Sequence, residues 1–447
     1  MKSLASIALV LTVATTVAAG TPDADASAAY SQLRAEWKRG ESDYARILDL
    51  AVTAEERTNS SAKAPSEIDF AARFLKLAEA YPGTKAELNA LFWAALNAPA
   101  SESGQRALWR LLLTGRIERL TPSEFLAAVA PTETRTDQAK KLLAPAAVAS
   151  AKRSLDDPQT AKLLAWVCAA YMGDTSEVTP APFAEAADLI EYMFASSPDV
   201  SHFAEAISLH GVPPWGGKYE RHLRALVEQN KTKLTSTTAR YALAAVVRAG
   251  GVERQDEAAT LFRRFVTDYE ADTRDAIASS LVNKARKKLA RVERCPLGKP
   301  AQALAGDDLD GKPLALADQR GKVVLVVFWA SWCAPCLADV PHERELFEKF
   351  RGRPFVVVGV NGDQDKDEAL KAVTRTRMPW RSVWGGDKKG VRPIAEAWAV
   401  SGWPTVFVID HEGVLRHDDL RGKRLDQPLE ALIAKAESAA KLKANQP

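Results

Sequence analysis

From about Ser27 to Val292 the apolar positions recur at helical spacing. Phe74, Leu77, Ala78 and Tyr81 fall at i, i+3, i+4 and i+7, and Leu164, Val167, Cys168 and Tyr171 repeat the pattern. Strand-like alternation is absent, and Ala, Leu, Glu, Lys and Arg dominate, as helix propensity favours. Turn formers interrupt the pattern at Tyr81-Pro82-Gly83-Thr84, Asp156-Asp157-Pro158, Ser196-Ser197-Pro198 and Val212-Pro213-Pro214-Trp215-Gly216-Gly217. Short breaks between amphipathic helices predict antiparallel helix pairs, in a bundle or a solenoid. Phe74 to Tyr81 with Ala86, and Phe262 to Tyr269 with Ala276, look alike, but no fixed period joins them and no regular array is expected.

At Cys295-Pro296-Leu297-Gly298-Lys299-Pro300 the pattern changes. Lys322 to Phe328 is a continuous β-branched run, the signature of a strand buried on both faces. Phe355 to Val360 and Thr405 to Ile409 repeat it, and helical patterns lie between at Ala334 to Phe350, Asp367 to Thr376 and Arg392 to Trp398. A turn at Asp410-His-Glu-Gly413 leads to a short strand at Val414 to Arg416, and Leu425 to Leu442 reads as a closing helix. The expected architecture is multidomain: an all-α region over 27–292, a linker over 293–300, an α/β domain over 301–440 and a tail over 441–447.

The first residues read differently. Met1-Lys2, an apolar stretch from Ala5 to Ala19, and the small-residue exits Val17-Ala18-Ala19 and Ala24-Asp25-Ala26 predict a secretory signal peptide over 1–26. Export would place the mature protein outside the cytoplasm, in a periplasm, or tether it to the membrane if the signal is kept. Sixty basic against 57 acidic residues leave a net charge of +3, which argues against nucleic-acid binding by bulk charge. Four cysteines in 447 residues exclude a disulfide scaffold.

The helical region offers little chemistry. His202, His210 and His222 form no zinc motif, and no metal is expected. Cys168 lies on an apolar stripe and reads as an inert buried thiol. Trp93, Trp109 and Trp166 read as core, and the basic run from Lys284 to Arg294 as a solvated helix end. Cys295 reads as a lone linker thiol, with pairing to Cys168 as the alternative.

The informative segment follows the first buried strand: Phe328-Trp-Ala-Ser-Trp-Cys333-Ala-Pro-Cys336. A cysteine at the mouth of a helix meets unsatisfied N–H groups and the positive end of the dipole, which favour thiolate. The C-x-x-C spacing puts a second thiol one helical turn on, near enough to close a small disulfide. Pro335 suits the first turn, where its missing N–H matters little, and Trp332 is placed to restrict access to the sulfur. Zinc needs two further ligands, which are absent nearby. An inert structural disulfide is the other alternative, but the strand-to-helix context favours redox chemistry, which needs no cofactor beyond the disulfide.

These residues also carry a resemblance. Asp310-Gly-Lys-Pro-Leu through Lys322, Phe328 through Pro341, and Gly402-Trp-Pro-Thr-Val-Phe-Val-Ile-Asp410 are similar to the TlpA/ResA-like group of thioredoxin-fold proteins. Phe70 to Asn97 resembles the helical part of large members. The resemblance implies an α/β thioredoxin-like domain and an exported thiol–disulfide oxidoreductase, leaning toward reduction and, in some members, serving cytochrome c maturation. It implies Cys333 as nucleophile, Cys336 as resolving thiol, a redox-active Cys333–Cys336 disulfide, Pro404 as a cis-proline facing it, and Trp403 at the border of the substrate groove. Asp339 matches the acidic position usually filled by Glu, and Val327 stands where thioredoxin carries a buried acid. The implied partners are protein disulfides or thiols, a membrane thiol–disulfide electron donor, and a protein bound by the helical region. Two other readings remain. A peroxiredoxin would need Thr or Ser three residues before the cysteine, where Ala330 stands. A non-catalytic assembly factor would not need both thiols.

Overall fold

The computed structural model describes residues 23–444, apart from 51–52, 131–136, 175, 209–211, 272–273, 385–391 and 419. The expected signal peptide lies outside these residues except for Asp23 to Ala26, which open the helix Asp23–Leu50. His210 also lies outside them.

The chain forms two compact units, one of residues 1–215 and 225–235, the other of residues 216–224 and 236–447. The first is built from helices whose starts are written locally. Ser66, Thr84, Ser101 and Thr121 each accept a backbone N–H of the first turn with the side-chain hydroxyl, satisfying donors that the helix itself cannot. Helices Glu67–Ala80 and Lys85–Asn97 pair across the Tyr81–Thr84 turn, where Gly83 adopts φ +84°. Trp93 fills the space between them, stacked on Phe74 at 4.2 Å and edge-on to Trp37 at 5.0 Å.

Trp109, expected in the core, is 61% exposed instead. The buried positions of helix Glu102–Leu113 are Gly104, Ala107, Leu108 and Leu111, and Trp109 falls on the opposite face. Cys168 is fully buried, and desolvation pushes its thiol far up, so it is inert.

The second unit holds the sheet. β1 (Ala305–Asp307) and β2 (Pro313–Ala315) form a small antiparallel ribbon. The main sheet consists of β3 (Val323–Trp329), β4 (Phe355–Asn361), β5 (Arg381–Trp384), β6 (Thr405–Ile409) and β7 (Leu415–Asp418), in the order β5-β4-β3-β6-β7. β3, β4 and β5 run parallel, β6 is antiparallel to β3, and β7 is antiparallel to β6. Every residue of central β3 is buried because each face carries its own core. Val323, Leu325, Val327 and Trp329 pack under helices Ala334–Lys349 and Asp426–Ala444, while Val324, Val326 and Phe328 pack with Trp398, Phe407 and Cys295. Gly359 of β4 is required by close approach: a Cβ there would lie 2.0 Å from Ser382 Oγ, which accepts the Trp329 indole N–H at 3.0 Å.

Residues 293–300, expected as a linker, are packed. Gly298 N–H donates to the Leu415 carbonyl at 2.7 Å, Leu415 N–H donates to Lys299 at 2.9 Å, and Pro300 bridges Val414. Cys295 is 3% exposed and in no disulfide, and burial pushes its thiol up to about 11. Of the basic run, Arg286, Lys287 and Arg294 are exposed as expected of a helix end, but Arg291 is not. Arg291, 6% exposed, sets its guanidinium over the Phe407 ring at 4.7 Å and donates to the Ala399 carbonyl at 3.0 Å. Arg248 of helix Lys233–Ala249 pairs with buried Asp418 at the end of β7. Helices upstream of the composition break belong to the compact unit of the sheet, and Arg248 and Arg291, which the charge pattern alone reads as surface, contact it.

Candidate active site

β3 ends at Trp329, and the chain turns through Ala330, Ser331 and Trp332 into helix Ala334–Lys349, with Cys333 at its N-cap. The turn is held by Asp363 just beyond β4. Its carboxylate accepts the Ser331 N–H at 2.9 Å, the Ser331 hydroxyl at 2.8 Å and the Asn361 amide at 2.7 Å, and its own carbonyl accepts the Trp384 indole N–H at 3.1 Å. Asp363 is not among the residues expected from the sequence, although the Asn-x-Asp spacing at a strand end is a signal for such a turn.

Cys333 and Cys336 form a disulfide with Cα atoms 5.3 Å apart. Cys336 N–H donates to Cys333 Sγ at 3.2 Å, so the first sulfur occupies the place of a capping oxygen. That contact and the helix dipole favour negative charge on Cys333 when the pair is reduced. Pro335 lies in the first turn, as its residue type demands. Cys333 is 5% exposed and Cys336 3%, so access is narrower than an open sulfur would give.

The register of β6 on β3 opposes Thr405 to Phe328, bringing the residues before Thr405 to the turn that leads into the redox helix. The Trp403–Pro404 bond there is cis. Exposed Trp332 and half-buried Trp403 lie with ring centroids 6.0 Å apart, flanking the disulfide segment with two indoles. A Cβ on Gly362 would come within 3.0 Å of the Trp403 ring, so glycine there seats that indole.

Asp339 stands one turn beyond Cys336. Its carboxylate does not lie free: Arg421 donates to Oδ2 from Nε at 2.7 Å and from Nη2 at 2.6 Å. Asp339 is not the only carboxyl group on this helix near the disulfide. Glu343, one turn further, is 3% exposed, and burial beside the Asp339 charge pushes its carboxyl up to about 8, against the opposing pull of Arg421. A readable signal existed, since Glu343 falls on the stripe Cys336, Val340, Glu343, Leu346 that the helix buries.

Known proteins match the same segment. Residues 296–432 fit the Redoxin family model. A thiol-disulfide oxidoreductase ResA from Bacillus cereus is 28% identical over 149 residues, covering 33% of this chain and 82% of the relative. A ResA from Bacillus thuringiensis is 29% identical over 146 residues, covering 32% and 80%. The solved thioredoxin domain of a thiol-disulfide oxidoreductase from Bacteroides vulgatus is 30% identical, covering 31% of this chain and 97% of that one, with a TM-score of 0.29. A redoxin-type segment, ResA relatives and a C-x-x-C disulfide at a helix mouth make the carboxy-terminal domain similar to the TlpA/ResA-like group, and the chain is a thioredoxin-like thiol–disulfide oxidoreductase.

Proposed function

We propose that this protein reduces disulfides of other proteins outside the cytoplasm, with Cys333 as nucleophile and Cys336 as resolving thiol. The placement of Cys333 Sγ at the helix N-cap, accepting the Cys336 N–H at 3.2 Å, carries the assignment of roles. Cys333 thiolate attacks one sulfur of a substrate disulfide, forming a mixed disulfide and expelling the other sulfur as thiolate. Cys336 then gives up its proton, for which Asp339 is the nearby acceptor, and attacks Cys333 Sγ. The second substrate sulfur leaves, and two electrons have passed from the dithiol to the substrate.

Trp332, Trp403 and Pro404 border the groove that receives the substrate chain. The oxidised pair is then recharged by a membrane thiol–disulfide donor, and the helical region binds a protein partner. The amino-terminal signal pattern supports export, and no helix among the described residues is long and apolar enough to cross a membrane.

Equilibration of the Cys333–Cys336 pair against defined thiol buffers tests the direction. A potential near the reductant thioredoxin, about −270 mV, is expected, whereas a value near about −120 mV would make the protein an oxidant. Cys333→Ser should abolish insulin reduction and Cys336→Ser should accumulate mixed disulfides; full activity of the first variant overturns the assignment.

A further inference from the structure

The redox helix buries one face, Cys336, Val340, Glu343 and Leu346, and the third of these is a carboxylic acid. Cys336, Val340 and Leu346 join the apolar core that also holds Leu425 and Leu429. Glu343 is 3% exposed, and among the described residues no hydrogen bond or ion pair reaches its carboxyl group. A carboxyl group in such a place is retained at a cost, since an apolar side chain would fill the stripe without the desolvation penalty.

The charges that reach Glu343 are few. Asp339 lies one turn toward Cys336 on the same helix, and Arg421 comes from the segment between β7 and helix Asp426–Ala444. Other ionisable groups nearby are engaged elsewhere. His342 bonds Asp426 at 2.8 Å and lies 3.4 Å from Glu345, while Arg344 donates to the Thr376 carbonyl at 3.3 Å. Two carboxyl groups thus face one guanidinium, and the one nearer the sulfur holds it.

We propose that Glu343 is a positioning residue for the redox pair: it keeps a proton beneath the Asp339–Arg421 ion pair and, on releasing it, competes for the guanidinium, so that two carboxyl groups rather than one set the charge facing Cys336. This rests on the reading of Cys336 as the resolving thiol. With Glu343 neutral, Arg421 compensates Asp339 and the field at Cys336 is mild. With Glu343 ionised, a second negative charge appears seven residues from Cys336, about 10 Å along the helix. The thiolate of Cys336 is then disfavoured. At that range a unit charge changes the thiolate population by up to about tenfold. By reciprocity, the proton on Glu343 is held differently in the dithiol and disulfide states.

The test is alkylation of Cys336 by iodoacetamide in the full chain carrying Cys333→Ser, followed by peptide mass spectrometry from about pH 6 to about pH 10, with Glu343 present or replaced by Gln. With Glu343 the curve should bend and its midpoint lie higher, and alkylation at about pH 8.5 should be slower than in Glu343→Gln, by up to about tenfold. Superimposable curves overturn the proposal. Should Glu343→Gln fail to fold, Glu343→Met and a carboxyl titration of the unmutated protein labelled with 13C-glutamate take its place. One carboxyl should titrate well above the usual carboxylate range, with different midpoints in the oxidised and reduced protein. Absence of that signal, or one midpoint for both states, overturns the proposal equally. Insulin reduction by the unmutated protein is measured alongside. An inactive protein would sink the reductant reading and leave the Glu343 coupling to be judged by the alkylation curves.

Discussion

Arg421 reaches Asp339 across 82 positions of sequence and places two nitrogens 2.6 and 2.7 Å from a single carboxylate oxygen. The pair joins the redox helix to the segment that follows the edge strand β7, and it brings the cation to the side of the helix on which Cys336 and Glu343 lie. Arg421 is 42% exposed, so the ion pair contributes less than about 1 kcal/mol to stability. Its importance is to the site. Arg421→Ala should slow resolution of the mixed disulfide by about three- to tenfold while barely moving the melting temperature. Quenched-flow trapping of the mixed disulfide beside a thermal melt checks both parts.

Asp363 anchors the turn that presents Cys333. Asp363→Ala removes the acceptor for the Ser331 N–H, the Ser331 hydroxyl and the Asn361 amide, all in a buried setting. Stability of the oxidised protein should fall by about 2–4 kcal/mol. Urea unfolding of the second unit's transition measures it, and an unchanged midpoint would show that water replaces the carboxylate without loss.

Glu343 also makes stability depend on pH. Its folded carboxyl sits at about 8, above the ordinary value of 4.5, so the folded state binds the proton more tightly than the unfolded chain. The stabilisation is therefore fully present below about pH 4.5 and is lost as pH rises through about 8. Over that window the unmutated protein should lose about 2–4 kcal/mol relative to Glu343→Gln, which carries no titrating group. Thermal melts of both proteins across the window test the sign as well as the size.

The helices before the sheet are predicted to matter to it. Arg248 pairs with Asp418, and Arg291 lies 3.9 Å from the same carboxylate while covering Phe407. A fragment beginning at residue 301 loses both cations and leaves Asp418 without them. It should be less stable than a fragment beginning at residue 236 by about 3–5 kcal/mol. Equal melting temperatures for the two fragments would contradict this.

The α/β domain and its redox pair were legible because their signals are local. A β-branched run long enough to be buried on both faces, followed by Cys-Ala-Pro-Cys, specifies a strand, a turn and a helix mouth through spacing alone. The strands β1, β2 and β5, of three or four residues, are too short for periodicity to register. Trp109 was misplaced because an aromatic side chain on a helix says nothing of which face the neighbours cover.

What the sequence determined by itself is the pairing of Cys333 and Cys336 at a helix mouth, because the cap and both thiols lie within one turn of one helix. What only the tertiary structure decided is the electrostatic setting of that chemistry. Arg421 meets Asp339, Asp363 holds Ser331, and Arg291 and Arg248 turn inward to Asp418. Each of these pairings depends on how elements pack over separations of tens to more than a hundred residues, and no period or spacing along the chain encodes it.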